Sequence, residues 1–184
     1  MATLSQLKYQ LKLVDDPADA SIQADLDNEL NRYLAAAIRQ CEHDTSRIFS
    51  QKNLTKELQA WSDPIVIAAA PFVSLVSIEY KHLVGSVLTT SALDSAAFVF
   101  IKKSYGANLV LRSGFELPEL AKDAADPVVI TFTAGYSTPP EDMDSWVLMR
   151  AAALYINRET DNNLSSDPVP FADGLLDSTR RFTL

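Results

Sequence analysis

The residues of this chain whose types and spacing come nearest to a metal site are Cys41, Glu42, His43 and Asp44. Thiolate, imidazole and carboxylate groups are common protein ligands of Zn²⁺. The apolar spacing around these residues predicts a helix, and side chains two positions apart on a helix point about 200° away from each other. Cys41 and His43 therefore cannot share an ion unless the helix ends there. We expect Cys41 to be a buried small apolar residue and His43 to be solvated at a helix end, with no metal and no cofactor bound.

Neighbouring carboxylates form the second pattern that could do chemistry. They occur as Asp15-Asp16, Glu141-Asp142 and the pair Asp142 and Asp144. General acid–base catalysis needs two carboxylates held in one cleft with different environments. These acids instead stand at predicted turns and helix starts, where capping and the helix dipole explain them. The serines lack a Gly-x-Ser-x-Gly setting and the five glycines form no phosphate loop, so we predict that the chain is not an enzyme.

The composition narrows the function classes further. The chain has 184 residues, 47 % of them hydrophobic, which is typical of a globular protein. Its 24 acidic and 16 basic residues give a net charge of −8, which argues against a protein whose main function is to bind nucleic acid phosphates. The basic pairs Lys102-Lys103 and Arg180-Arg181 are too small for such a footprint. One cysteine excludes an internal disulfide and fits a reducing compartment, and the absence of a long apolar run or a secretion signal predicts neither membrane insertion nor export.

The elements that position these residues begin with two helices. Thr3 is expected to cap the first helix, whose residues Leu4, Leu7 and Leu11 lie three and four positions apart. The tripeptide Asp15-Asp16-Pro17 ends it, because proline disfavours helical backbone in the residue before it. The second helix is predicted from residue 19 or 21 to about residue 44. Its apolar stripe comprises Ile22, Leu26, Leu30, Leu34, Ala37, Ile38 and Cys41.

From residue 53 to residue 135 the period of two that is typical of strands takes over. Strands are predicted near 54–61, 65–67, 73–80, 97–101, 108–111 and 127–135. In the third of these, Val76, Ile78 and Tyr80 are expected on one face. The fourth and fifth are expected to pair as a hairpin, and residues 83–94 and 115–126 are predicted to be loops or short helical turns.

A helix returns after the last strand. Pro139-Pro140-Glu141-Asp142 is typical of a helix start, and the helix is expected to reach about residue 158. A polar linker over 159–170 and a last short helix from Phe171 or Ala172 to Thr179 follow.

This order predicts the fold class. No terminal helix can bury its stripe alone, so we expect the helices of both chain ends to pack together. The prediction is an α+β fold: a discontinuous helical bundle of residues 1–50 and 136–184 with an inserted, mainly antiparallel β lobe of residues 51–135, as one structural unit. The formal charge is −3 for 1–50, −1 for 51–135 and −4 for 136–184, so the bundle carries most of the acidity.

Several segments in one order resemble the head–tail connector (adaptor) proteins of long-tailed bacteriophages and prophages. These segments are residues 4–13 with Asp15-Asp16, 22–41, 71–80, the Thr-Phe-Thr-Ala-Gly-Tyr stretch within 129–136, Pro139-Pro140, 151–155 with Arg158-Glu159, and Val169-Pro170-Phe171 to Leu175-Leu176. The resemblance covers nearly the whole chain. This sequence departs from the commoner pattern of the family by a long stretch between Lys81 and Pro127.

The resemblance implies a structural neck protein of the virion, made in the host bacterial cytoplasm. Such connectors form a ring of about twelve subunits through heterologous contacts, dock on the portal protein and join the DNA-filled head to the tail. Their partners are the portal, other neck or tail-completion proteins and further copies of the same chain. Genomic DNA passes through the channel without specific binding, and acidic subunits lining it would repel the phosphates.

The C-terminal segment makes the portal contact in that family. The resemblance therefore puts forward a set of contact residues: Phe171, Leu175, Leu176, Arg180, Arg181 and Phe182. The alternative is that the apolar members of this set cover the chain's own core. Other functions also stay open: a different neck or tail-completion protein, a small-ligand-binding or regulatory α+β domain with its pocket in the β lobe, or a hydrolase with acids from distant loops.

Overall fold

The described part of the chain, residues 2–13, 20–157 and 174–180 of a computed structural model, forms two compact units. One unit contains the described residues of 1–49 and 138–184, and the other contains residues 50–137. The first is helical and the second is built of strands, so the α+β class, with N-terminal and C-terminal helices around a β lobe, is confirmed.

The described residues of the helical unit form three helices: α1 (Leu4–Leu11), α2 (Ala20–Thr45) and α3 (Glu141–Ile156). Helix α2 packs against α3, and α1 contacts both. The two ends of the chain therefore share one apolar interior, as the stripes predicted. Its fully buried members include Leu7, Leu30, Ala37, Met143 and Val147.

The start of the α2 stripe differs from the prediction. Ile22 is 65 % exposed, whereas Leu30, Leu34, Ala37 and Cys41 are buried. The 3.6-residue spacing gives the side on which a residue lies, but a long helix buries that side only where a partner covers it. Only the part of α2 from Leu30 onward supplies buried residues to the interior.

Helix α1 begins with a capping box. The Thr3 hydroxyl oxygen accepts a hydrogen bond from the Gln6 N–H at 3.3 Å, and the Gln6 side-chain oxygen accepts one from the Thr3 N–H at 2.9 Å. This satisfies backbone groups that a helix start leaves without partners. A carboxylate on α2 also binds α1, since the Lys8 ammonium lies 2.6 Å from Asp27.

The ion pair between α1 and α2 is pH-dependent. The hydrogen bond from the Lys8 ammonium holds the pKa of the Asp27 carboxyl below its ordinary value. A carboxyl whose pKa is lowered by folding stabilises the fold above its unfolded pKa, and that contribution is lost as the pH falls through the folded value. Acidification below about pH 4 therefore weakens this link first.

We expect Thr3→Ala to lower the free energy of unfolding by about 1 kcal/mol, because it removes the capping oxygen and leaves the Gln6 N–H without that acceptor. Urea denaturation followed by circular dichroism measures the change. Ser5→Ala, at an exposed position in the same turn, is the matched control and should change stability by less than about 0.5 kcal/mol. Equal losses in the two variants would contradict the capping role.

The β unit has seven strands, all paired antiparallel, within the described residues. They are β1 (Lys52–Leu58), β2 (Ile65–Ile67), β3 (Phe72–Val84), β4 (Val87–Leu93), β5 (Phe98–Lys103), β6 (Gly106–Leu111) and β7 (Val128–Ala134). One sheet has the order β1-β7-β3-β4 and the other β2-β6-β5. Buried residues of both sheets form the core, among them Ile67, Ile78, Phe98, Leu109 and Ile130.

Three details of the β prediction are wrong. Residues 83–94 are not a loop, because they hold the end of β3 and all of β4, which pair as a hairpin across Gly85 and Ser86. Strand β1 ends at Leu58, before Trp61. Val76 does not share the buried face of Ile78, because the register shifts between Leu75 and Ser77, and such a bulge reverses the alternation of side chains.

Candidate functional site

The sequence Cys41-Glu42-His43-Asp44 forms no metal site. Cys41 is completely buried, whereas the His43 side chain is exposed and lies 3.1 Å from Asp44 through its Nδ1. Glu42 accepts the backbone N–H of Phe49 at 2.9 Å. Among the described residues no group of three potential ligands is placed to hold a metal ion. The two side chains therefore lie as predicted, one in the core and one in solvent.

Burial also lowers the reactivity of the thiol. Desolvation, followed by the charges of Asp44, Glu42 and Asp144, raises the pKa of the Cys41 thiol to about 12. The thiolate is the reactive form of cysteine. Because folding raises this pKa, the contribution to stability is present below the unfolded value of 9.0 and is lost as the pH rises toward about 12.

We expect iodoacetamide at pH 8 to alkylate Cys41 about 1,000-fold more slowly in the native chain than in urea, because the thiolate fraction falls tenfold with each unit of pKa. Mass spectrometry of timed samples measures the rate. The variant Asn28→Cys, exposed on α2, supplies a thiol that reacts at the rate of a solvated cysteine. Rapid native labelling of Cys41 itself would contradict the burial.

Two acids at the start of α3 accept hydrogen bonds from residues near the two ends of the described chain. Asp144 accepts the Ala2 N–H at 2.9 Å, and Asp142 accepts the Ser178 hydroxyl at 3.3 Å. Glu141 and Asp142 are exposed in the first turn, where carboxylates favour the helix dipole. The Ala2 N–H and the Ser178 hydroxyl are thus groups of the chain itself. The acid pair Asp15-Asp16 lies outside the described residues.

The predicted portal-contact residues fall into two groups. Phe171, Arg181 and Phe182 lie outside the described residues. Leu176 is fully buried in the helical unit, whereas Leu175 and Arg180 are half-buried. The described segment 174–180 forms turns, with only Gly174 in helical conformation, so the predicted helix ending at Thr179 is wrong in that part.

The segment 174–180 is fixed to the helical unit by polar contacts as well as by Leu176. The Arg47 side chain donates from Nε to the Thr179 carbonyl at 2.7 Å. The Thr179 hydroxyl donates to the Leu176 carbonyl at 2.9 Å. Arg180 lies 2.8 Å from Asp177. These contacts place Leu175 and Arg180 at the surface of the unit while Leu176 covers the core.

The end of the β3–β4 hairpin is apolar and exposed. Leu83, Val84, Val87 and Leu88 are each between 53 and 66 % exposed, and they face one another in the register Leu83 with Leu88 and Val84 with Val87. We call these four residues the hairpin tip. Clusters of this kind on a protein surface mark interaction sites.

The β unit also contains a cavity of about 460 Å³ beside β3. Its lining residues are Tyr80, His82, Leu83, Pro118, Glu119, Leu120, Lys122 and Asp123. The Nδ1 atom of His82 is buried and has no hydrogen-bond partner among the described residues. The wall formed by Pro118 is held in place by a hydrogen bond of 2.9 Å from Trp61 Nε1 to its carbonyl.

Solved structures share this fold. A chain from the neck of an empty gene transfer agent particle, computed with C6 symmetry, matches with a TM-score of 0.75 and 22 % identity, over 98 % of this chain and 90 % of that chain. The chain shares the fold of gene transfer agent neck proteins. A second match, from the virion of a native gene transfer agent particle, has a TM-score of 0.72 and 21 % identity over 98 % and 90 % of the two chains.

A third match comes from the neck of a native gene transfer agent particle computed with C12 symmetry. Its TM-score is 0.67 at 23 % identity, over 90 % of this chain and 88 % of that chain. No protein-family model and no curated protein matches the sequence. At the level of the fold, the resemblance to phage connectors is therefore confirmed by structures of phage-like particles.

Sequence reasoning missed the hairpin tip and the cavity beside His82. A signal for the tip was present, because a Gly-Ser pair flanked by aliphatic residues is typical of a two-residue hairpin turn. Gly85 has a φ of 65°, which the first central position of such a turn requires. No comparable signal exists for the cavity, since its two walls come from residues about forty positions apart in the chain.

Proposed function

We propose that this chain is a structural neck protein of a phage or phage-like particle: a ring-forming head–tail connector that docks on the portal and joins the DNA-filled head to the tail. The observation that carries the proposal is the shared fold with a gene transfer agent neck chain over 98 % of this sequence. In this role the chain is not an enzyme, and it works at the neck of the virion.

Two features of the chain support the proposal. The net charge of −8 suits a channel through which DNA passes without binding. Two of the acids that could suggest catalysis, Asp142 and Asp144, accept hydrogen bonds from the Ser178 hydroxyl and the Ala2 N–H of the chain itself. Separately, none of the described helices is long and apolar enough to cross a membrane. The ring, of about twelve subunits, would close through heterologous contacts between copies.

Portal contact through the C-terminal segment is part of the proposal. Leu175 and Arg180 offer one apolar and one cationic group at the surface of segment 174–180. Phe171, Arg181 and Phe182, which lie outside the described residues, belong to the proposed contact set by the family resemblance. Leu176 would contribute indirectly, because its burial and the hydrogen bond from Arg47 to Thr179 hold the segment in place.

Co-sedimentation with portal-bearing, DNA-filled heads that lack tails tests the proposal. We expect the chain to pellet with such heads and not with heads stripped of the portal. The variant Leu175→Asp with Arg180→Glu should lose most of this binding, because it replaces the half-buried apolar group and the half-buried cationic group of the segment with acids. Arg32→Glu, at an exposed position on α2, is the control for added negative charge and should bind normally. Failure of the unmodified chain to bind the heads would overturn the connector role.

The cavity beside His82 favours one second candidate, a small-ligand-binding or regulatory α+β domain. Its volume of about 460 Å³ and its mixture of aromatic, cationic and acidic side chains suit a small polar ligand. The buried Nδ1 of His82 offers such a ligand a hydrogen bond. Under this alternative the ligand would stabilise the folded chain by mass action.

Thermal unfolding with inorganic phosphate and with citrate separates the two candidates. A binding domain should show a rise in melting temperature that His82→Ala abolishes. His43→Ala, which changes the exposed histidine, should leave the rise intact. No rise with either anion, together with binding to heads, favours the connector.

A further inference from the structure

The hairpin tip groups four of the exposed large hydrophobic residues of the chain at one turn. Its four aliphatic residues lie within a stretch, residues 83–93, that contains no charged side chain, although 22 % of the whole chain is charged. The exposed part of these side chains contributes no transfer free energy until another surface covers it. An uncharged partner surface covers them without burying an unpaired charge.

The helical unit offers such a surface between α1 and α3. The groove there has a volume of about 520 Å³ and is lined by Ser5, Gln6, Tyr9, Gln10 and Leu148, none of which is charged. We call it the α1–α3 groove. Tyr9 is 87 % exposed, so its ring forms an uncovered apolar wall.

The two concave surfaces described on the β unit suit the tip less well. The cavity beside His82 is lined by Glu119, Lys122 and Asp123 among others. A smaller one of about 250 Å³, beside Phe72 and Phe100, has Lys102 in its wall. Covering any of these charged groups with an aliphatic tip would remove water from the charge without supplying a partner. The α1–α3 groove carries no such cost.

We infer that the hairpin tip of one copy of this chain docks in the α1–α3 groove of a second copy. The inference rests on the proposed function, since it names the contact that links neighbouring subunits of the ring. Tip and groove are different surfaces, so the contact is heterologous and repeats from copy to copy. A contact of this kind closes into a ring when the rotation between copies allows it, whereas a contact between two tips would stop at a dimer.

Disulfide trapping tests the contact. The only native cysteine, Cys41, is buried and does not compete with introduced thiols. Val87→Cys places a thiol on the tip, and Gln10→Cys places one on the groove. Under mild oxidation of the purified chain at high concentration, we expect a mixture of the two single variants to give a covalent heterodimer and neither variant alone to give a homodimer. The double variant should give a ladder of multimers, and adding Val84→Asp should abolish it.

The same double variant bound to tailless heads separates the two hypotheses. A ladder on the heads supports the inference. Binding to the heads without a ladder there or in solution overturns the tip–groove contact and leaves the connector role intact. A ladder in solution without binding to heads keeps the contact and overturns the connector role. Two results would contradict the inference, in solution or on heads. One is a homodimer of the Val87→Cys chain alone. The other is an equal yield of covalent heterodimer when Val87→Cys is paired with Asn28→Cys, a position exposed on α2.

Discussion

Replacing Gly135 with alanine is expected to lower the melting temperature of the chain by roughly 10 °C, from a loss of about 4 kcal/mol. Gly135 has a φ of 114°, a conformation that side chains rarely allow. A Cβ there would lie 2.6 Å from the Ser50 carbonyl carbon and 2.8 Å from the Gln51 nitrogen, which are backbone atoms that cannot rotate away. The Gly135 N–H also donates to the Pro71 carbonyl at 2.8 Å, so a shift of Gly135 would disturb the start of β3 as well as that of β1.

Gly85→Ala is the matched control for Gly135→Ala. Gly85 also has a positive φ, 65°, but no atom of the described residues lies within 4 Å of the position that a Cβ would take. The same substitution therefore tests backbone conformation without steric overlap, and its cost should be about 1 kcal/mol. Thermal unfolding of the two variants, followed by circular dichroism, separates these contributions. Similar melting temperatures for the two variants would show that the close approach to Ser50 and Gln51 does not matter.

The sequence predicts the helical unit better than the β unit, and the reason is physical. Leu30, Ala37 and Cys41 share one side of α2 because a helix repeats locally, so their burial follows from spacing alone. Strand β3 loses the simple alternation at two register shifts. Each shift depends on the pairing with β7, whose residues lie some fifty positions away, and no local pattern around Val76 indicates it.

The candidate site is predicted unevenly for a similar reason. The separation of Cys41 in the core from His43 in solvent follows from spacing, since side chains two positions apart diverge on a helix. The separation of Leu175 from Leu176 does not follow, because both are leucines in one apolar stretch. Only the packing of segment 174–180 on the helical unit buries one and leaves the other at the surface.

Leu30→Ala is expected to lower the free energy of unfolding of the helical unit by about 3 kcal/mol. Leu30 has no exposed surface and lies in the part of α2 that supplies the buried residues of the interior shared with α3. Removing its isobutyl group loses the transfer free energy and leaves a cavity that rigid helices fill poorly. Urea denaturation followed by the helical circular dichroism signal measures the loss.

Ile22→Ala is the control for Leu30→Ala, since it truncates an aliphatic side chain of equal size on the same helix at a position that is 65 % exposed. Its cost should stay within about 0.5 kcal/mol. The sequence places both residues on one stripe, so a prediction from periodicity alone gives them similar costs. A large difference between the variants shows that the buried interior begins after the first turns of α2, where α3 comes into contact with it. Equal costs would mean that α2 is covered along its whole length. The interior shared by the two chain ends would then extend to Ile22, in contradiction to its exposure in the structure.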